Sequence, residues 1–214
     1  MVNNIKCVVF DLDGTLFSSH KNIYYATVKT FKDLNIPIEI DEQLFYTKIG
    51  LHFKDIFDQM NISVDDVEYF IHVYKTNYFK FIDYSEPYPN LLDTLKYLFY
   101  NNYKICLLTT KSQEQAELIL NHFEIAKYFS VILGRKPEIE IKPSPQPLFY
   151  IADRLQLKID EIIMVGDSEM DVLCGKNAGT LSCAVTYGYR TVEELKLHNP
   201  DYMIDDLGEL KGIL

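Results

Sequence analysis

Apolar residues follow two rhythms along this chain. Mainly apolar runs at residues 5–10, 105–108, 130–133, 162–165, 181–185 and 202–204 have the length and composition of buried strands. Between them, apolar positions recur every three or four residues. Leu91, Leu95 and Leu98 mark one helix face over 90–100, and Leu148, Ile151, Ala152 and Leu155 mark another. Ser112 with Gln115 and Thr191 with Glu194 are helix-start signatures, and Ser168 can cap a helix ending near Gly179. Strands alternating with helices predict an α/β fold with a parallel sheet and right-handed crossovers.

Residues 18–86 break this alternation and read as almost wholly helical. Ile23, Thr27, Phe31 and Leu34 lie on one face, and Asn35-Ile36-Pro37 ends the segment. Asp41 is a candidate N-cap for a helix through Lys48, closed by Gly50, and 53–60 is a further short helix. Ser63 with Asp66 reads as the next helix start, followed by an apolar face through Val67, Phe70, Ile71, Tyr74, Tyr78 and Phe81. The dense Tyr and Phe predict the core of a small helical lobe. Around Gly50, the residues Lys48, His52 and Lys54 read equally as a solvated turn or as a basic loop that meets a substrate.

Three strand ends carry polar groups: Asp11 and Asp13 after the first run, Thr109 after the second, and Asp167 with Asp171 after the fourth. Open α/β sheets bind ligands at the carboxyl ends of their strands. Two carboxylates about 4 Å apart repel by roughly 4 kcal/mol at an effective dielectric near 20, so such a pair calls for a cation, a proton or both. Asp also caps turns, but a matched set on separate strands exceeds what turn chemistry explains.

Composition narrows the classes. The net charge of -10 disfavours broad nucleic-acid or anionic-membrane binding. An anionic substrate therefore needs a local positive pocket or a bound metal. Cys7, Cys106, Cys174 and Cys183 are scattered, fitting free thiols in a reducing cytoplasm better than a disulfide scaffold or a zinc site. The opening residues lack a signal-peptide pattern, and no apolar stretch is long enough to span a bilayer.

The segments Asp11-Leu12-Asp13-Gly14-Thr15-Leu16, Leu107-Leu108-Thr109-Thr110-Lys111, Lys142-Pro143 and Gly166-Asp167-Ser168-Glu169-Met170-Asp171 resemble the four ordered motifs of the haloacid dehalogenase superfamily. Tyr88-Pro89, Asn177-Ala178-Gly179 and Tyr187-Gly188-Tyr189 resemble its phosphoglycolate phosphatase-like branch, which is close to the β-phosphoglucomutase-like one. The resemblance spans essentially the whole chain. It implies a Rossmann-like core of residues 1–16 and 87–214, with a helical cap of residues 17–86 inserted after the first motif. Only residues 110–141 separate Thr109 from Lys142, which leaves no room for the other large cap type.

The resemblance also implies a chemistry: phosphatase action on a small phosphorylated metabolite, phosphoglycolate-like, with Mg2+ as cofactor. Asp11 is then the nucleophile that forms an aspartyl-phosphate, and Asp13 is the general acid/base. Asp11, the backbone carbonyl of Asp13 and Asp167 would hold the metal, with Asp171 behind them. Lys142 would steady Asp11 and the phosphoryl charge, and Thr109 would donate to a phosphoryl oxygen. Thr15, Gly50, Thr110 and Lys111 are the further candidates for substrate contact. Cap closure would exclude water and select the substrate.

Departures from the family pattern sharpen this. Asn90 replaces a common glycine after Tyr-Pro, and Ser18-Ser19 replaces a common Asp-Ser. Ile23 stands where a β-phosphoglucomutase-like chain carries a cap-side histidine, which weakens the sugar-phosphate mutase alternative. Asp13 is the acid that true haloacid dehalogenases and phosphonatase-like chains lack. Inorganic pyrophosphate remains an alternative substrate, and a non-catalytic binding protein has no need of both Asp11 and Asp13.

Overall fold

The structure is a computed structural model that describes residues 4–214. Residues 1–3, which open the segment read as lacking a signal peptide, lie outside the described residues. The chain divides into two compact units, one of the residues through Leu16 with Tyr88–Leu214, the other Phe17–Pro87.

Strand β1 (Cys7–Phe10) is wholly buried and begins two residues later than its apolar run. The chain then enters the helical unit through the two-residue strand β2 (Phe17–Ser18). Helices α1 (His20–Asp33), α2 (Glu42–Tyr46), α3 (Phe53–Gln59) and α4 (Val67–Lys80) follow. The short strand β3 (Glu86–Pro87) pairs antiparallel with β2 and closes the unit. Two-residue strands are too short to show in a hydrophobic pattern, and sequence reading misses both. The predicted aromatic core forms: Phe31, Phe57 and Phe70 are buried with ring centroids 4.7–5.6 Å apart. Asp41 caps α2 through the Leu44 amide, as expected. The start of α4 is a correction. Asp66, and not Ser63, is its N-cap, its carboxylate accepting from the Tyr69 amide at 2.9 Å.

The other unit resumes with α5 (Leu91–Tyr100), β4 (Lys104–Ser112), α6 (Gln113–His122), β5 (Val131–Arg135) and α7 (Gln146–Leu155). Then come β6 (Ile162–Gly166), α8 (Glu169–Ala178), β7 (Leu181–Val185), α9 (Val192–Leu197), β8 (Tyr202–Ile204) and the terminal turn α10 (Leu210–Ile213). Asn90 sits before α5 at φ 60°, the left-handed region that glycine adopts most cheaply. That explains what stands in for the missing glycine. Asparagine tolerates this conformation, and the Asn90 amide also donates to the Asp206 carboxylate at 2.8 Å.

The sheet is six-stranded and parallel, in the order β5-β4-β1-β6-β7-β8. This is the predicted α/β, Rossmann-like arrangement. Core residues Cys7, Val9, Cys106, Leu108, Leu133, Met164, Leu148 and Ile151 pack strands against α7. Crossovers from β1 lead to β4 on one side, and the chain later returns to β6 on the other. Phe10 is in register with Leu107 of β4 and Val165 of β6. The three motif-bearing strand ends therefore lie side by side at the switch point, where such sheets open a crevice.

Candidate active site

Asp11 is the first residue beyond β1, fixed by its amide donating to the Val165 carbonyl at 2.9 Å. Asp167 is the first residue beyond β6. Asp171 lies one turn into α8, where Ser168 donates to its carboxylate from the backbone at 3.1 Å and from the hydroxyl at 2.6 Å. This capping box makes the Asp171 side chain part of the helix start. Carboxylate oxygens of Asp11, Asp167 and Asp171 converge within 4.8 Å of one another, and all three residues are buried.

Lys142 sits between two of them. Its Nζ lies 2.6 Å from Asp11 Oδ1 and 2.5 Å from Asp171 Oδ1, and its side chain is 4% exposed. Burial alone would push this ammonium down in pKa, but the two carboxylates outweigh it and hold Lys142 above the usual lysine range. The acids respond in the opposite sense. Burial is the main cause of a rise in Asp11 to about 7, opposed by Lys142 and reinforced by Asp171 and Asp13. Asp167 is raised well above the ordinary carboxylate range by burial, then by Asp171 and Asp11.

The second acid of the first motif has a different setting. Asp13 Oδ2 pairs with Lys111 Nζ at 2.8 Å, with both side chains about nine-tenths buried. Lys111, Thr110 and Thr109 lie inside β4, which runs longer than its apolar core and changes register between Leu108 and Ser112. Thr109 is buried, and its Oγ1 accepts from the Lys111 amide at 3.3 Å. Thr15, a candidate substrate contact, instead spends its hydroxyl on Asp167 Oδ1 at 3.2 Å. Gly50 belongs to the helical unit and takes a left-handed φ of 100°.

Sequence reasoning gave the loop after β7 no role at the acid cluster. The Tyr189 amide donates to Asp167 Oδ2 at 2.8 Å, and the Tyr187 hydroxyl donates to the Thr15 carbonyl at 2.9 Å. A Cβ on Gly188 would lie 2.2 Å from Asp167 Cβ, and one on Gly14 would lie 2.2 Å from Asp167 Oδ2. Glycines at both positions let backbone close on the carboxylate. The Tyr187-Gly188-Tyr189 pattern flagged this loop, but nothing in its spacing indicates that backbone amides do the work.

Charge completes the geometry. With every acid ionised, Asp11, Asp13, Asp167, Asp171 and Glu169 would carry two more charges than Lys142, Lys111 and Arg190 offset. Oxygen donors with an excess of two charges suit a hard divalent cation. Both Asp171 oxygens are already engaged by Lys142 and Ser168, whereas Asp11 Oδ2 accepts no hydrogen bond among the described residues.

The haloacid dehalogenase-like hydrolase family matches residues 8–185. The chain belongs to this family. Among these hydrolases it is 35% identical to the phosphoglycolate phosphatase of Vibrio parahaemolyticus, over 99% of this chain and 96% of that one. It is also 32% identical to pyrophosphatase PpaX of Halalkalibacterium halodurans, over 98% and 97% of the two chains. Among solved structures, a predicted phosphoglycolate phosphatase from Haemophilus somnus superposes with a TM-score of 0.89 at 29% identity, covering 100% and 99%. Like these relatives, the chain is a phosphatase of the haloacid dehalogenase type. No helix among the described residues is long and apolar enough to cross a membrane.

Proposed function

We propose that the chain is a magnesium-dependent phosphatase that hydrolyses a small phosphomonoester, phosphoglycolate being the leading candidate, through an aspartyl-phosphate. The observation that carries this reading is the asymmetry of Asp11. One oxygen is held by Lys142, and the other accepts no hydrogen bond among the described residues. An oriented carboxylate with one free oxygen is what in-line attack on phosphorus needs.

Asp11 Oδ2 forms the bond to phosphorus as the bond to the ester oxygen breaks. Asp13 gives its proton to the leaving alkoxide. It then takes a proton from the water that attacks the aspartyl-phosphate, releasing inorganic phosphate and restoring Asp11. Lys142 and the Thr109 hydroxyl stabilise the charge on the equatorial phosphoryl oxygens, with Thr110 and Lys111 beside them. Asp11, Asp167 and the Asp13 carbonyl would hold Mg2+, and Asp171 anchors Lys142 from behind. The bound cation supplies neutralisation of the phosphoryl and carboxylate charges. In the helical unit, the reading gives the Gly50 turn a share in choosing the substrate.

Four buried free cysteines fit a reducing cytoplasm as the site of action. The similarity to a pyrophosphatase over almost the full length supports inorganic pyrophosphate as the second candidate substrate.

The test is phosphate release from a panel of small phosphate metabolites and pyrophosphate, with and without Mg2+, by the natural protein and Asp11→Asn. Preferred turnover of one member, lost on either change, is expected. Full activity in Asp11→Asn would sink the aspartyl-phosphate. Absence of hydrolysis, with interconversion of a hexose 1-phosphate in the presence of its bisphosphate, would favour a mutase.

A further inference from the structure

Arg190 is the charged residue near the acid cluster that the chemistry above leaves without a task. Its side chain is 9% exposed, and its Nε donates to Glu169 Oε2 at 2.8 Å. Its Nη1 is buried without a hydrogen-bond partner among the described residues. A buried donor left unpaired costs about 1–3 kcal/mol, so a guanidinium placed this way needs a compensating reason.

The reason lies in what the ion pair joins. Arg190 follows Tyr189, whose amide grips Asp167, and Glu169 stands two residues after Asp167 in the first turn of α8. The pair ties the loop after β7 to the helix after β6 directly behind that carboxylate. Gly188 lets the same loop pass so close that a Cβ there would overlap Asp167. At the loop's other end the Tyr187 hydroxyl holds the Thr15 carbonyl, and the Thr15 hydroxyl holds Asp167 Oδ1. Asp167 is thus gripped on both oxygens by a strap whose far end is closed by Arg190 and Glu169.

We infer that Arg190, through its ion pair with Glu169, is a positioning residue that fixes the loop over Asp167 and so sets divalent-cation affinity. This rests on the reading that Asp167 helps to hold a metal. Outer groups that orient a metal ligand are typically worth about 10–100-fold in affinity. Coulomb's law alone predicts the opposite sign. Removing a positive charge near a divalent cation should tighten its binding. The sign of the effect therefore separates a strap from a mere neighbouring charge.

The experiment is calorimetric titration of the purified full chain with Mg2+, with no substrate present. It compares the natural protein, Asp167→Asn, Arg190→Gln and Arg190→Lys, with the melting temperature of each metal-free protein read alongside. Arg190→Gln is expected to weaken Mg2+ binding about tenfold, and Arg190→Lys, which keeps charge and one donor, to recover part of it. Unchanged or tighter binding in Arg190→Gln overturns the inference. If the natural protein takes up no Mg2+, or Asp167→Asn binds it equally well, the metal reading itself fails. If Arg190→Gln does not fold, Arg190→Lys decides. In that case weakened Mg2+ binding in Arg190→Lys supports the inference, and natural affinity there overturns it.

Discussion

Lys142 Nζ lies 2.5 Å from Asp171 Oδ1, so a residue of the helix after β6 anchors the cation that also holds the proposed nucleophile. Asp171 gives one oxygen to the Lys142 ammonium and the other to Ser168, whereas Asp167 takes only neutral donors; on the proposed reading this suits Asp171 to orientation and Asp167 to the metal. Asp171→Asn should therefore lower kcat by about 10–100-fold, the range for groups that act by orienting others, while Mg2+ affinity moves less. Asp167→Asn should show the reverse balance. Lys142→Met leaves Asp11 and Asp171 without their buried partner. Breaking a buried pair from one side costs about 3–5 kcal/mol of stability, which bound Mg2+ should partly restore. Steady-state kinetics over a Mg2+ series, with melting curves in Mg2+ and in chelator, measures all three. Equal losses of kcat and Mg2+ affinity in Asp171→Asn would place that residue on the metal.

The Lys111–Asp13 pair makes a prediction about leaving groups. Lys111 Nζ at 2.8 Å holds the side chain proposed to deliver the proton. An alkyl phosphate needs that proton to expel its alkoxide, whereas a nitrophenyl phosphate leaves as a stable anion. General acid catalysis is worth about 10²–10⁴-fold where it is needed. Asp13→Asn should lose about that much in release of the alkyl alcohol while losing far less in the burst of nitrophenolate. Lys111→Met should show a weaker form of the same selectivity. Rapid-quench comparison of the two substrates tests it, and equal losses on both would assign Lys111 to phosphoryl binding and not to holding the acid.

How far the sequence carries differs between these features. The runs at 181–185 and 202–204 coincide with β7 and β8, because a buried parallel strand leaves a near-continuous apolar signature, broken here only by Ser182. Asp11 and Asp167 could be placed at strand ends because each follows its apolar run directly, but Thr109 lies inside β4, whose polar continuation past Leu108 hides its true end, and the adjacency of the strands came only with the family resemblance. The α4 start eluded the pattern because Ser63 and Asp66 are both good caps and only the backbone decides between them. Strands β2 and β3 have no period to detect at two residues each. The grip of Tyr189 on Asp167 was illegible for another reason: a backbone amide has no letter in the sequence. Arg190 escaped for a different reason: its partner Glu169 lies on a different element, 21 positions away.

The acid cluster also fixes how stability should depend on pH. Asp11, raised by burial to about 7 in the folded metal-free protein, has an unfolded value of about 4. The folded state therefore binds the extra proton across that window. The site's contribution to stability is complete below about 4 and is lost as pH rises through about 7. Asp167, raised in the same direction by burial, adds to the loss. A divalent cation replaces those protons, so its stabilising effect must grow as they leave. Melting temperature measured in chelator and in excess Mg2+ at pH 5.5, 6.5, 7.5 and 8.5, values chosen to bracket that titration, should show a Mg2+-induced increase that widens steadily with pH. Asp11→Asn should flatten this dependence, since the amide neither binds the proton nor offers its charge to the metal. A Mg2+ effect of the same size at both ends of the series would mean that the buried carboxylates are already ionised in the metal-free protein, and that Lys142 and the strap around Asp167 suffice to hold them so.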